Sequence, residues 1–352
     1  MVLMAIDHVR VYSGLPAGGL SPGIFFTRWV THFCAPVFAF LAGSGAYLYG
    51  WKLADAGALA RYLAGRGLLL VVLELTVIRL AWTFNFDYRE FVLAGVIWML
   101  GWSMVLLALM VRMRAPIVGI VGLAIVFLQK AFAHVPLGPI WEFVYPAGSK
   151  AWPGIAILYV IVPWVGVMAA GYGFGAILLR EPEQRRRLCV GIGLAATLIF
   201  LLAGGYTVWT TPAPPGAPPV LFRLLNQQKY PASPLFLLMT LGPAIACLPL
   251  AERARGWFAG VLATFGRVPM FYYLLHVFAI HTAALAVMLL REGTIHSEWY
   301  ATAPFTSVTA PHRWTLPLLY LVWAIVIAIL YFACRWFAGL KDRRRDGWLR
   351  YI

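Results

Sequence analysis

Charged side chains are scarce in this sequence. Only 12% of its 352 residues are charged, whereas 62% are hydrophobic, and the mean hydropathy is +0.81. A water-soluble protein of this length could not bury so much apolar surface. The scarcity of charge therefore excludes a soluble enzyme and predicts an integral membrane protein whose partner is the lipid bilayer.

Acidic residues are scarcer than basic ones: 13 Asp and Glu stand against 28 Lys and Arg, which gives a net charge of +15. The basic residues lie in short connections between apolar runs, as the positive-inside rule requires of cytoplasmic loops. We therefore expect no nucleic-acid partner. The basic connections contain Lys52, Arg61 and Arg66; Arg112 and Arg114; Arg180, Arg185, Arg186 and Arg187; Arg253 and Arg255; and the tail 341–345.

Motifs for several common chemistries are missing. The four cysteines lie inside apolar runs without a CxxC pair, which predicts buried thiols and no disulfide framework. Without an HExxH motif or a metal-spaced Cys/His set, we expect no metal cofactor. Without a GxSxG elbow, a serine-hydrolase triad has no support. The nearest approach to a nucleotide loop is GYGFG at 171–175, inside an apolar run where small residues favour helix packing.

Long apolar runs are abundant, and they predict an all-α, polytopic transmembrane helix bundle of about ten spans. Most runs are 19–26 residues long, enough to cross about 30 Å at about 1.5 Å per residue. The ninth breaks at 266–269, which predicts a short interfacial helix followed by a span that begins near Pro269. The runs are 1–13, 25–50, 62–84, 91–111, 115–133, 154–179, 187–206, 232–250, 257–291 and 314–339.

Ten spans place every basic connection on one side of the membrane, so both termini are expected in the cytoplasm. We expect one domain over residues 1–352. The long connections on the other side are 134–153 and 207–231, the second stiffened by five prolines between 212 and 219. The connection 207–231 ends in the polar stretch NQQKYP, where we predict that Asn226 and Lys229 contact the substrate.

Asp7, His8 and Arg10 place ionisable groups in the first apolar run. Such groups are costly in hydrocarbon and usually mark function. Asp7 and Arg10 stand at i, i+3 and can pair, while His8 points about 100° away from Asp7 and could face a cavity. The alternative is a structural ion pair near a helix end, with His8 merely hydrogen-bonded.

Two further pairs lie in later runs. Arg28 and His32 share one face of the second run, and the alternative is a snorkelling Arg beside a buried His. His276 and His281 are five residues apart, which leaves their rings about 140° apart and argues against a shared metal. We expect one of these two histidines to face a core cavity and the other to be structural.

Glu74 and Arg79 in the third run do not share a helix face, so each needs a partner on another helix, or water. Arg79, together with Asp87, Arg89 and Glu90, is expected to form interfacial pairs near the outer surface.

Seven segments carry a family resemblance through their order and spacing. They are 2–10 (VLMAIDHVR), 25–38 (FFTRWVTHFCAPVF), 41–43 (LAG), 95–101 (GVIWMLG), 163–168 (PWVGVM), 229–234 (KYPASP) and 266–276 (GRVPMFYYLLH). Together they resemble the catalytic-domain family of heparan-α-glucosaminide N-acetyltransferase, and more closely its bacterial members. The resemblance covers nearly the whole chain.

The resemblance implies a multi-pass acyltransferase of the inner (plasma) membrane. Such an enzyme moves an acyl group, typically acetyl, from cytoplasmic acyl-CoA to an amine or hydroxyl acceptor on the far side, often a sugar or glycan. A histidine is the expected base or transient acyl carrier. The family's catalytic histidine lies between the first two spans, but residues 13–27 contain none here. His8 and His32 flank this gap and are the predicted replacements.

The ionisable residues in the apolar runs and the family resemblance together suggest a role for each candidate residue. His8 or His32 is predicted to remove the acceptor proton or to carry the acyl group, and Asp7 to orient a histidine. The predicted catalytic residues are His8, His32 and Asp7; the predicted substrate-binding residues are Arg10, Arg28, His276, Asn226 and Lys229; and Arg267 is the predicted acyl-CoA contact.

Family members usually carry additional residues before the equivalent of Met1. A first run of 13 residues covers only about 20 Å. We therefore expect that the first span is truncated here, either because the true start lies upstream or because the product is shortened.

The alternative function is a proton-coupled transporter or flippase of a cell-envelope precursor, in which buried Asp, Glu and His relay protons. The sequence lacks the inverted repeats and paired broken helices that many transporters have. A scaffold for envelope assembly is the third reading, and the ionisable groups in apolar runs argue against it. Monomer and homodimer both remain open.

Overall fold

The computed structural model describes residues 1–17, 21–135, 138–146 and 152–344. Parts of three predicted features lie outside the described residues. These are 18–20 in the connection between the first two runs, 136–137 and 147–151 in the first long loop, and Arg345 in the basic tail.

The described residues are mostly helical and form fourteen α-helices. A π-helical turn, Glu74–Ile78, joins α4 to α5, and a 3-10 turn, Val30–Phe33, joins α2 to α3. The helices are α1 Val2–Tyr12, α2 Pro22–Trp29, α3 Cys34–Leu53, α4 Ala56–Leu73, α5 Arg79–Thr83, α6 Val96–Met110, α7 Ala115–Phe127, α8 Trp164–Leu178, α9 Pro182–Thr210, α10 Val220–Leu225, α11 Pro234–Arg253, α12 Trp257–Arg267, α13 Pro269–Glu292 and α14 Leu316–Arg343.

Five helical segments in the described part of the chain are long and apolar enough to cross a membrane. Since such segments are costly to keep in water, the chain is an all-α membrane protein. The long segments are Pro22–Leu53, α9, α11, α13 and α14, and the shorter apolar helices are α6, α7 and α8.

The prediction of helix throughout 91–111 and 154–179 is wrong at the start of each run. Val92–Ala94 (β1) and Ile155–Ile157 (β2) are short parallel strands, with Val92 opposite Ile155. Helix begins only after Gly95 and Pro163. An apolar run with β-branched residues is compatible with either structure, so hydropathy alone does not distinguish them.

The predicted break in the ninth run is confirmed. Helix α12 ends at Arg267, Val268 has a non-helical backbone with φ of −131° and ψ of 53°, and α13 begins at Pro269. Proline suits the first helical turn because its missing N–H would have no helical partner there.

The chain divides into two compact units. The first comprises Met1–Cys34, Thr76–Asp87 and Ala254–Ile352. Within it, α1 packs against α13 and α14, α5 packs against α13, and α12 packs against α14. This packing gives α1 a position beside the histidines of α13.

The second unit comprises Ala35–Leu75 and Tyr88–Arg253. Its helices pack in pairs, α4 with α6, α7 with α8, and α9 with α11. A methyl group at Gly171 would lie 2.0 Å from the Phe40 carbonyl oxygen, and one at Gly175 would lie 2.6 Å from Tyr47 Cβ. The predicted packing role of GYGFG is therefore confirmed.

Glu74 finds its partner on another helix, as predicted. Its Oε2 accepts hydrogen bonds from the backbone N–H groups of Ile97 at 2.9 Å and Trp98 at 3.3 Å. These groups belong to the first turn of α6, where backbone N–H groups lack helical acceptors and the helix dipole favours a negative charge. Gly95 allows the approach, because a Cβ there would lie 2.3 Å from Glu74 Oε1.

Candidate functional site

Two histidines meet in the first unit. His8 Nδ1 lies 2.7 Å from His276 Nε2, and the two rings are nearly parallel with centroids 4.8 Å apart. His276 is fully buried, whereas His8 is partly exposed. The structure therefore joins two of the predicted site residues, one from α1 and one from α13.

Local sequence fixes both helices that carry this pair. Helix α1 ends at Tyr12 because Ser13 Oγ donates to the Arg10 carbonyl oxygen at 2.6 Å and Gly14 takes a left-handed backbone conformation, with φ of +72°. Helix α13 begins at Pro269, so His276 lies about two turns inside the helix. Each histidine therefore sits on regular helix rather than on a loop.

Backbone contacts determine which nitrogens of the neutral pair carry protons. His276 Nδ1 lies 2.7 Å from the Tyr273 carbonyl oxygen and 3.2 Å from that of Tyr272. A carbonyl oxygen only accepts, so Nδ1 is protonated and Nε2 carries the lone pair. His8 must then donate from Nδ1, and its own lone pair lies on Nε2, which points away from His276.

Aromatic side chains form one wall beside His8. The Trp82 ring meets the His8 ring edge to face at a centroid distance of 4.8 Å. Tyr12, four residues after His8 on the same helix face, donates to the Trp82 carbonyl oxygen at 2.6 Å and stacks on its ring at 5.8 Å. Tyr300 donates in turn to the Tyr12 carbonyl oxygen at 3.1 Å. Burial raises the pKa of Tyr300, with a smaller effect from Glu292, so its hydroxyl stays protonated as a donor.

The predicted pairing of Asp7 with Arg10 is confirmed. Arg10 Nε donates to Asp7 Oδ1 at 2.9 Å, and Arg10 Nη1 donates to the Leu15 carbonyl oxygen at 2.9 Å. The first contact lies within α1, and the second ties the end of α1 to the chain that follows it. The role predicted for Asp7, orienting a histidine, stays a prediction.

Arg28 and His32 lie on the segment Pro22–Leu53, but the helix tightens between them. His32 belongs to the 3-10 turn Val30–Phe33, so the two are not related by four regular α-helical steps. His32 is buried and Arg28 is half-buried. This turn packs against α1, which places His32 close to the helix of His8.

Arg79 is buried, and its guanidinium donates to the carbonyl oxygens of Asn85 and Asp87. These contacts hold the turn that follows α5, in which Asn85 Nδ2 donates to the Ala301 carbonyl oxygen at 3.2 Å. Arg79 therefore bonds to the backbone of this turn, and the predicted interfacial pairs of Arg79, Asp87, Arg89 and Glu90 stay a prediction.

Asn226 and Lys229 lie in the second unit. Asn226 is exposed at the end of α10, whereas Lys229 is only 9% exposed. Lys229 Nζ stands 5.8 Å from the centroid of the Tyr159 ring and 5.2 Å from that of Tyr230. Such placements over aromatic rings stabilise a cation, and the predicted substrate contacts stay predictions.

Arg267, the predicted acyl-CoA contact, is exposed and donates to both carboxylate oxygens of Asp342 at 2.6 Å. It joins the end of α12 to the end of α14. An exposed pair of this kind contributes little to stability, and the predicted contact with acyl-CoA stays a prediction.

Sequence reasoning missed three aromatic residues around the histidines: Tyr12, Trp82 and Tyr300. Tyr12 had a signal, because it stands one helical turn after His8. Trp82 and Tyr300 reach α1 only through tertiary packing. Among the described residues, no three His, Cys, Asp or Glu side chains are grouped so that they could bind a metal ion.

Comparison with protein-family models identifies the family of this chain. No curated protein matches the chain. The family model described as "Heparan-alpha-glucosaminide N-acetyltransferase, catalytic" matches residues 1–210, which include His8, the pair Asp7–Arg10, and Trp82. Since that match spans more than half of the sequence, the chain belongs to the heparan-alpha-glucosaminide N-acetyltransferase catalytic-domain family.

Proposed function

We propose that this protein is a membrane acyltransferase that moves an acyl group, in the first instance acetyl, from cytoplasmic acyl-CoA to an amine or hydroxyl acceptor. The acceptor is an extracytoplasmic sugar or glycan, and the membrane is the plasma membrane. His8 is the general base and His276 is its supporting partner.

The observation that carries this proposal is the hydrogen bond between His8 Nδ1 and His276 Nε2. Because the Tyr273 carbonyl fixes the proton on His276 Nδ1, the neutral pair presents a lone pair on His8 Nε2. A histidine oriented by a second group is the usual arrangement of a catalytic base. Here the orienting group is a neutral imidazole held by backbone.

The contacts of the two rings support different roles for them. Both ring nitrogens of His276 are engaged, Nδ1 by the Tyr273 carbonyl oxygen and Nε2 by His8, so neither can take a substrate proton, whereas His8 is partly exposed. His8 is therefore the proposed catalytic residue, and His276 is a positioning residue that acts through it.

The proposed reaction has two proton transfers at His8 Nε2. As the acceptor oxygen or nitrogen attacks the acyl carbonyl carbon, its proton moves to His8 Nε2, and the imidazolium shares its other proton with His276. Collapse of the tetrahedral intermediate breaks the carbon–sulfur bond, and His8 returns the proton to the departing thiolate. The products are the acylated acceptor and the free thiol.

The remaining residues support this arrangement. The Asp7–Arg10 pair and the bond from Arg10 to Leu15 hold the end of α1, which keeps His8 in register with His276. Trp82 provides a ring beside the position where positive charge develops, and aromatic rings attract such charge.

We propose ten spans with both termini in the cytoplasm, since this topology places every basic connection on one side. Residues 1–352 act as one functional domain in this proposal, because His8 lies within the matched residues 1–210 and His276 lies beyond them. Reporter fusions after residues 114, 187 and 255 test the topology, and all three should report a cytoplasmic location.

Acyl transfer by the purified full chain in lipid nanodiscs tests the function. Radiolabelled acetyl-CoA is incubated with D-glucosamine as the amine probe and with glycerol as the hydroxyl probe. We expect label transfer by the wild type and loss of transfer in His8→Ala. Absence of both transfer and acetyl-CoA consumption in the wild type would contradict the proposal.

A further inference from the structure

Another buried histidine lies on α13 five residues, about 1.4 helical turns, beyond His276. His281 follows His276 on α13, is 0% exposed, and has Nδ1 at 3.1 Å from the Ala81 carbonyl oxygen. Because a carbonyl only accepts, Nδ1 carries the proton and the lone pair of the neutral ring lies on Nε2. The orientation of His281 is therefore fixed by backbone, as that of His276 is.

His281 Nε2 is buried and has no hydrogen-bond partner among the residues that the structure describes. Buried polar atoms in folded proteins are almost always paired, so an unpaired one needs an explanation. A lone pair at this position calls for an O–H or N–H donor.

The neighbouring side chains do not supply that donor. The hydroxyl of Tyr12 donates to the Trp82 carbonyl oxygen, and that of Tyr300 donates to the Tyr12 carbonyl oxygen. Their rings, with that of Phe84, surround the imidazole at centroid distances of 4.8, 5.4 and 3.8 Å. Aromatic walls around one oriented polar atom are the usual composition of a small-molecule site.

The position of His281 relates it to the proposed reaction. On α1, His8 and Tyr12 share one face, and they contact His276 and His281 respectively. One helical turn of α1, a rise of about 6 Å, therefore separates the residue that contacts His276 from the residue that contacts His281. That spacing is comparable to the distance between two polar groups on one sugar ring.

We infer that His281 Nε2 accepts a hydrogen bond from a second hydroxyl or amine of the acyl acceptor, and so holds the acceptor while His8 Nε2 takes the proton of its reacting group. This inference rests on the proposed function and extends it to the acceptor site. His281 is then an acceptor-binding residue with no part in the proton transfer.

Phe84 is the exposed member of the aromatic group around His281. Its ring stacks on His281, it is 38% exposed, and its backbone has φ of +49° and ψ of 28°, a conformation that bulky residues rarely adopt. Tyr12 and Tyr300, whose rings also contact His281, are 0% and 1% exposed. In this inference Phe84 therefore moves away from His281 to admit the acceptor.

Two substitutions test the roles of the two ring nitrogens of His281 separately. In His281→Asn the amide nitrogen replaces Nδ1 and keeps the bond to Ala81, but nothing replaces Nε2. In His281→Gln the longer side chain places a carbonyl oxygen near the position of Nε2. Full-length variants in nanodiscs are compared by transfer kinetics with D-glucosamine and by the rise in melting temperature that D-glucosamine produces.

We expect His281→Asn to raise the KM for D-glucosamine about tenfold, as loss of one hydrogen bond does, and to leave the KM for acetyl-CoA unchanged. The melting-temperature rise should disappear in His281→Asn and persist in His281→Gln. Equal acceptor KM values and equal melting shifts in wild type and His281→Asn would overturn the inference and indicate a bound water instead.

The two readouts keep the inference distinct from the proposed function. A melting shift that His281→Asn abolishes, without any acetyl transfer by the wild type, supports the acceptor site and contradicts the acyltransferase. Absence of a glucosamine-dependent shift in the wild type contradicts the acceptor site whatever the transfer assay gives.

Discussion

His8 Nδ1 lies 2.7 Å from His276 Nε2, although 268 positions of sequence separate the two residues. The bond places a partly exposed imidazole against a buried one whose proton is held by backbone. The hydrogen bond runs in one direction, from His8 Nδ1 to His276 Nε2. When His8 Nε2 takes a proton, His8 Nδ1 can donate more strongly to His276, and this stabilises the positive charge on His8.

Substitution His8→Ala should abolish most of the transfer. Removing a general base typically costs about 100- to 10,000-fold in rate, so kcat should fall within that range while the KM for acetyl-CoA changes little. Radiolabel transfer from acetyl-CoA to D-glucosamine measures both constants.

The matched control is His296→Ala, which removes an exposed imidazole that pairs with Glu298 at 2.9 Å, away from His8 and His276. This variant should transfer label at the wild-type rate. A His8→Ala enzyme within threefold of wild type would rule out His8 as the base.

Substitution His276→Phe tests whether His276 acts through His8. A phenyl ring keeps the volume but removes Nε2 as the hydrogen-bond acceptor, and loss of a partner that orients an imidazole typically costs about 10- to 100-fold. The double variant His8→Ala, His276→Phe should be no slower than His8→Ala alone, because interacting residues are not additive. Additive losses in this cycle would mean that the two histidines act independently.

Local patterns made much of the fold predictable. Asp7 and Arg10 are three residues apart on a helix, so their pairing follows from helical geometry alone. Pro269 marks the start of a helix because of its own ring and missing N–H. Apolar length likewise identifies α9, α11, α13 and α14 as membrane helices.

Contacts between distant segments were not predictable. The sequence nominated His8 and His276 separately, but their bond depends on how α1 packs against α13. Trp82 and Tyr300 gave no signal for the same reason. Strands β1 and β2 were missed because each stabilises the other through backbone pairing, which leaves no mark on hydropathy.

Substitution of Glu74 should destabilise the second unit, and the loss of stability should be smaller when the new side chain keeps an acceptor oxygen. Glu74→Ala leaves the N–H groups of Ile97 and Trp98 without their acceptor, a loss that typically costs about 1–3 kcal/mol. Glu74→Gln keeps a carbonyl oxygen in place and should cost less. Thermal unfolding followed by circular dichroism in one detergent should rank the melting temperatures as wild type, Gln, then Ala, and a lower value for Gln than for Ala would contradict this role.

Two glycines of α4 offer a matched test of its contact with α6. A Cβ at Gly67 would lie 2.5 Å from the Gly101 carbonyl oxygen and 2.8 Å from Val105 Cγ2, whereas a Cβ at Gly65 meets no atom within 4 Å among the described residues. Gly67→Ala should therefore destabilise the protein by about 1–3 kcal/mol through overpacking. Gly65→Ala should instead stabilise it by about 0.5–1 kcal/mol, since alanine favours helix. The same melting assay should move the two variants in opposite directions, and equal shifts would show that α4 and α6 do not approach as closely as Gly67 and Gly101 require.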